Sequence, residues 1–124
     1  MKRVTGLGGP FIKVNDPKAM AAWYEKHLGI AFNGTTYATF QFANEDGSKK
    51  QGYNVFSFFK KDSNYFSPGT TDVMLNFIVE DVFALLDVLK AEGVQVMEER
   101  MDEEYGKFGW IIDPEGNKIE LWQP

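Results

Sequence analysis

The sequence predicts an α+β domain made of two half-chain units, each a strand, a helix and then several strands. Two capped amphipathic helices predict it, together with a spacing they share. Phe11-Ile12-Lys13-Val14-Asn15-Asp16 is a short apolar run ending on Asp, with Pro17 next. Asp16 suits an N-cap, where a side-chain oxygen accepts from a free helical N–H, and Pro17 suits the first helical position. Asn76-Phe77-Ile78-Val79-Glu80-Asp81 repeats the arrangement. Asp16 and Asp81 are 65 residues apart, as are Val14 and Val79, and Gly29 and Gly93 are 64 apart. An offset shared by several positions is the mark of an internal repeat.

The elements follow in order. Met20, Trp23, Tyr24, His27 and Leu28 recur at spacings of three and four, giving the first helix an apolar face, and Gly29 stops it. β-like segments follow at Ile30 to Phe32, Tyr37 to Phe42 and Tyr53 to Phe59. In the second half Val82, Leu85, Leu86 and Leu89 mark the helix face and Gly93 its end. Strands are then expected at Val94 to Glu98, Phe108 to Ile112 and Lys118 to Trp122. Residues 44–50 read as a loop, and Ser63 to Thr71, with Pro68-Gly69, as the joint between the halves. Asp113-Pro114-Glu115-Gly116-Asn117 is a tight turn that makes a hairpin of the last two strands. The reading is one domain over residues 1–124, with modules of about 1–62 and 70–124 joined by the loop 63–71.

Composition narrows the function. With 124 residues the chain suits a single core. Eleven Phe, five Tyr and three Trp are enough to fill that core and line an apolar cavity besides. A net charge of −5 and no run of more than two basic residues argue against a nucleic-acid partner, which needs clustered cations for its phosphates. Absence of cysteine excludes disulfides, thiol catalysis and thiolate metal sites. The opening MKRVTGLGGPF lacks the apolar stretch of a signal peptide, and no run approaches the length of a membrane span. A soluble cytoplasmic protein with no membrane partner is expected.

Three stretches then resemble the vicinal oxygen chelate superfamily, which contains glyoxalase I, extradiol dioxygenases, fosfomycin-modifying enzymes and bleomycin-sequestering proteins. They are Asp16 with Trp23-Tyr24 and Leu28-Gly29, the strand Phe77-Ile78-Val79-Glu80-Asp81-Val82, and the hairpin Asp113-Pro114-Glu115-Gly116-Asn117-Lys118-Ile119-Glu120-Leu121. They span almost the whole chain in the family's order. The resemblance implies two βαβββ modules forming a cupped mixed sheet around a ligand, and, for a chain of this length, a homodimer. Fold does not imply function, so the chemistry has to be read residue by residue.

Metal-dependent members of that family use two His, or a Gln, with Glu. The resemblance puts the first ligand seven residues before Asp16, at Gly9, and the second at Met74, 65 residues on. The terminal carboxylate is kept as Glu120, and its counterpart in the first half falls near Phe56. One carboxylate and a thioether do not hold a catalytic divalent ion against water. The single histidine, His27, sits in the last turn of the first helix, where it complements the carbonyl end of that helix. Asp102, Glu103 and Glu104 read as a solvated loop. No metal and no other cofactor is expected.

Residues two apart on a strand share a face. Parity from Gly9, Met74 and Glu120 puts Phe56, Phe58, Met74, Asn76, Glu120 and Trp122 inside the cup, with Trp110 on the neighbouring hairpin strand. An aromatic cleft with a few polar groups suits a small organic ligand, flat or cationic. Three readings stay open: a metal-free binder of an aromatic or cationic small molecule, a lyase, isomerase or dioxygenase with a non-standard metal site, and a structural module whose cup is filled.

Overall fold

The computed structural model describes residues 2–124. The elements run β1 (Val4–Val14), α1 (Pro17–Leu28), β2 (Tyr37–Ala43), β3 (Lys49–Lys60), β4 (Val73–Val79), α2 (Val82–Ala91), β5 (Gln95–Glu103), β6 (Gly106–Ile112) and β7 (Lys118–Gln123). The strands form one sheet in the order β2-β3-β1-β4-β7-β6-β5. β1 and β4 pair antiparallel at its centre, β3 runs parallel to β1, and β7 runs parallel to β4.

The repeat is visible in the central register. Gly9 lies opposite Asn76 and Phe11 opposite Met74. An offset of 65 converts the first pair into the second, so a pseudo-twofold axis passes between the modules. Both helices start as the sequence predicts. Asp16 accepts from Ala19 N–H at 3.0 Å and Asp81 from Ala84 N–H at 3.1 Å. Each helix covers the back of its own module. α1 lays Met20, Ala21 and Tyr24 on Ile12, Ala38, Phe56 and Phe58, and α2 packs Val82, Leu85 and Leu86 against Val79 and Leu121. Truncating a side chain as enclosed as Leu86 to Ala costs about 2–5 kcal/mol.

One expected strand does not form. Ile30 to Phe32 follows α1 as β5 follows α2, but its backbone is tied to the helix instead of to a strand. Phe32 and Asn33 N–H both donate to Glu25 Oε1, at 2.9 and 3.1 Å, and Thr35 Oγ1 donates to the Phe32 carbonyl at 2.6 Å. The Phe32 ring stacks on Phe58, 5.6 Å between centroids. The first module therefore has three strands against four in the second, and β2 is left as a free edge. In the second module β5 extends beyond the expected Glu98, carrying Asp102 and Glu103 into the strand as exposed side chains. His27 is exposed on α1 with its ring 5.0 Å from Trp23, on the outside of the molecule.

Candidate functional site: a carboxylate at the floor of an aromatic cup

The concave face of the sheet carries its own cluster, built on Phe11, Phe66, Met74, Phe108, Trp110 and Trp122. At its centre lie Asn76 and Glu120, 2% and 1% exposed, the two enclosed polar side chains of the described residues. They are register partners on the parallel strands β4 and β7. The Glu120 carboxylate accepts from three neutral donors. Tyr65 O–H and Trp110 Nε1–H, the latter at 3.0 Å, point at Oε1, and the Asn76 amide points at Oε2. Every group in reach is a donor, the arrangement an ionised carboxylate requires. Burial pushes the Glu120 carboxyl above its ordinary range, while Tyr65, Asn76, Trp110 and the field of Lys118 pull it down. Burial and the adjacent Glu120 charge together push the Tyr65 hydroxyl far up, so it stays a donor.

The cation nearest in kind, Lys118, is engaged elsewhere. Its Nζ donates to the Tyr65 carbonyl at 2.7 Å and lies over the Tyr65 and Trp110 rings, 5.3 and 5.2 Å from their centroids. Burial lowers its pKa, opposed by Glu120 and Glu99. No ion pair to Glu120 exists among the described residues. The carboxylate is thus solvated by hydrogen bonds and uncompensated by a contacting cation.

Above it is a cavity of about 330 Å³ walled by Phe11, Tyr53, Val55, Phe59, Tyr65, Met101, Tyr105, Phe108 and Trp122, with Asn76 and Glu120 at its floor. Trp122 orders the rim. It stacks on Phe108 with rings 5° apart in plane, meets Tyr53 edge-on at 5.4 Å, and donates Nε1–H to the Tyr105 carbonyl at 3.1 Å. A larger groove of about 710 Å³ lies outside the cup, along Asn15, Asp16, Ala19, Met20 and Trp23. It contains neither enclosed polar residue, so the cup is where chemistry is concentrated.

The structure brings together Met74, Asn76, Trp110, Glu120 and Trp122 on the concave face. Of these, Met74 and Trp110 stand in the layer behind the cavity wall. Phe56 and Phe58 are elsewhere. Both face α1 on the back of the sheet. The cause is a one-residue slip. Phe11 pairs with Ser57 just as Asn76 pairs with Glu120, so Ser57 and not Phe56 is the counterpart of Glu120. A shift of one residue transfers a strand's whole set of side chains to the other face. The inner residues of β3 are therefore Tyr53, Val55 and Phe59. Tyr65 was outside the expectation altogether, since it comes from the segment 61–72 between β3 and β4. Its only sequence signal is Tyr65-Phe66, an aromatic pair inside an otherwise polar loop.

Residues 6–121 match the Glyoxalase/Bleomycin resistance protein/Dioxygenase superfamily. The chain belongs to this superfamily. Among curated protein sequences none matches it. The superfamily fold is shared with solved structures. One is a methylmalonyl-CoA epimerase from Mycobacterium tuberculosis, with a TM-score of 0.64 at 20% identity over 100% of this chain and 91% of that one. A superfamily member from Vibrio splendidus 12B01 gives 0.58 at 13% identity, over the whole of both chains. The Mn(II)-bound glyoxalase from Novosphingobium aromaticivorans gives 0.58 at 18%, covering 99% of this chain and 40% of that one. At such identities the likeness is one of fold.

The residues present do not fit the metal that the superfamily's ligand positions imply. Gly9 has no side chain and φ of 135°, and a Cβ there would stand 1.8 Å from the Val55 carbonyl oxygen. Met74 offers a thioether, and Ser57 stands at the Glu120 counterpart. Glu120 has its oxygens turned to Tyr65, Trp110 and Asn76. Among the described residues no group of three or more His, Asp or Glu side chains comes together.

Proposed function

We propose that this protein binds a small organic molecule in the cup without a metal, and that the ligand presents a cationic or aromatic group to Glu120. The observation that supports this reading most is the enclosed Glu120 carboxylate beneath aromatic walls with no cation in contact. A negative floor and electron-rich ring faces attract the same ligand charge, and a desolvated cation over such rings gains about 2 kcal/mol or more. A cavity of 330 Å³ is at the small end of ligand sites, which matches a compact head such as benzyltrimethylammonium. Its uncharged walls restrict orientation through ring contacts, and Asn76 and Tyr65 fix where the carboxylate points.

The test is a thermal-shift and calorimetric titration with benzyltrimethylammonium and a set of neutral isosteres, such as neopentylbenzene. A ligand at a hundred times its Kd stabilises the native state by about 2.7 kcal/mol. Preference for the cation over its neutral isostere is the expected result. Equal binding of the two removes the role assigned to Glu120, and binding of neither removes the receptor reading. Elemental analysis of untagged protein completes the test: near one equivalent of Zn, Ni, Mn or Fe overturns the metal-free assignment.

A further inference from the structure

The cup does not end at the cavity over Glu120. A second chamber of about 600 Å³ adjoins it, lined by Tyr37, Thr39, Gln41, Tyr53, Val55 and Tyr105. Tyr53, Val55 and Tyr105 line both spaces, so the two meet at these side chains. The sheet register agrees. Tyr37, Thr39 and Gln41 pair with Ser57, Val55 and Tyr53, which places them on the concave face. This end of the cup is open because Ile30 to Phe32 joins α1 instead of adding a strand beyond β2. Tyr105 marks the seam. The turn it occupies is held by the Trp122 Nε1–H bond to its carbonyl, while its side chain is 59% exposed.

The outer chamber has a definite chemistry. None of its lining side chains is Lys, Arg, Asp or Glu. The Gln41 amide is committed through Nε2 to the carbonyls of Lys50 and Gly52, at 2.7 and 2.8 Å, so it adds no free donor. What remains is aromatic and aliphatic surface with hydroxyls. Phosphates need cations or clustered N–H donors, and this surface supplies neither.

We propose that the cup takes a bipartite ligand: a compact cationic head over Glu120 and an uncharged alkyl or aryl tail that passes Tyr105 and lies along the concave face of β2. The assignment of the head rests on the function proposed above; the tail subsite rests on the outer chamber. The same lining offers no cation to the phosphates of a nucleotide-bearing tail such as that of a coenzyme A thioester.

Calorimetry with two probes, benzyltrimethylammonium and benzylhexyldimethylammonium, tests the tail separately from the head. The quantity read is the ratio of their affinities in one protein, so that general loosening of a variant cancels. In wild type the hexyl compound is expected to bind at least about tenfold tighter, since each buried methylene adds to the transfer free energy. Thr39→Trp, which projects a large ring into the outer chamber, should reduce the ratio to about two. Tyr105→Ala provides an independent second variant with the same expectation. A ratio near one in wild type, with the benzyltrimethylammonium head still bound, overturns the tail subsite and leaves the receptor reading standing. Binding of neither probe defeats both. A ratio that survives both variants, or displacement of the hexyl probe by excess free coenzyme A, also overturns the uncharged tail subsite.

Discussion

The Asn76 amide donates to Oε2 of Glu120 from the neighbouring strand while its own Oδ1 is enclosed and meets no donor. That oxygen lies where a Cβ of Gly8 would stand, 1.7 Å away, so only a glycine leaves room for it. β1 thus gives way twice for the cup, at Gly8 for the Asn76 side chain and at Gly9 for the Val55 carbonyl. An orphaned oxygen costs stability, and the carboxylate that orients the amide is what keeps it in place.

Tyr65→Phe isolates one donor to Glu120. The ring keeps its stacking on Phe59, with centroids 5.4 Å apart, and only the hydroxyl is lost. Glu120 Oε1 then keeps Trp110 alone. A loss of about 1–3 kcal/mol in chemical denaturation is expected, the range for a charge-assisted bond removed from a buried group. The Glu120 pKa should rise further, because Tyr65 is one of the groups holding it down. An unchanged denaturation midpoint would show that water replaces the hydroxyl.

Trp122→Ala removes part of the cavity wall and loosens the rim together. The ring is 4% exposed, stacked on Phe108, and its Nε1–H holds the Tyr105 turn. Truncating a large buried aromatic costs roughly 3–5 kcal/mol, so the variant should be poorly stable as well as weak in binding. Trp122→Phe separates the two effects. It keeps most of the ring and loses the bond to Tyr105, so folding should persist with reduced binding of the probes. Full probe affinity in Trp122→Phe would remove the Tyr105 turn from the site.

Much of this arrangement is legible from sequence where short-range physics decides it. Asp16 and Asp81 announce their helices because capping is a local bond between residues three apart. The equivalence of Gly9 and Met74 follows from the repeat offset and the place of Asn76 from strand parity, whereas Glu120 is marked by the resemblance of the last hairpin to the superfamily. The failures are non-local. Phe56 and Phe58 were placed by counting from Glu120 across an assumed equivalence, and alternating aromatic residues on β3 are apolar on both faces, so hydrophobicity could not correct the parity. Ile30 to Phe32 has strand-like residues, but Glu25, on the helix before it, captures the N–H groups of Phe32 and Asn33. Tyr65 enters the cup from a loop, where no periodicity predicts direction.

Gly9 offers a test of why the first ligand position carries no side chain. We predict that Gly9→His recovers no metal binding, because an imidazole has no space there and Met74 and Ser57 leave the superfamily's ligand set incomplete. Gly9→Ala alone should destabilise by more than about 1–3 kcal/mol, adding strain at φ of 135° to a collision 1.8 Å from the Val55 oxygen. Stability of both variants by thermal denaturation and metal content of any folded Gly9→His protein decide it. A stable Gly9→His protein carrying one equivalent of zinc would mean that β1 is adaptable at Gly9 and the site is only one substitution from a metal centre.

Assembly is a separate proposal. The back of the sheet between the helices leaves Leu7, Val73 and Leu75 exposed at 49%, 46% and 40%, and β2 has an unpaired edge with Tyr37 and Phe40 exposed. Free edges and apolar strips favour pairing, and two identical chains most simply pair about a twofold axis. We predict a homodimer, read by light scattering as twice the 14.1 kDa of one chain at micromolar concentration. A mass of one chain would reject it.

Glu120→Gln gives the sharpest prediction because it changes charge and almost no shape. The amide oxygen can take the place of Oε1, beside Tyr65 and Trp110. Its NH2 then faces Asn76, whose side chain accepts by turning Oδ1 toward it, so every bond is remade and folding should survive. The pH dependence has a definite sign. Burial raises the carboxyl pKa in the folded state, so the native protein holds this proton at pH values where the unfolded chain has lost it. The stability this confers is complete below the unfolded carboxyl pKa and is lost as the pH rises through the folded one. Wild type should therefore lose stability relative to Glu120→Gln as the pH climbs from the acid range, and reach a constant difference once Glu120 is ionised in both states. Denaturation of the two proteins across that range measures the difference directly. A flat difference would mean that the three donors and Lys118 fully offset the burial. Binding moves the opposite way: loss of the charge should weaken benzyltrimethylammonium by about 1.5–3 kcal/mol at neutral pH. If the probe binds Glu120→Gln as tightly as wild type, the carboxylate orders Asn76, Tyr65 and Trp110 and takes no part in recognition.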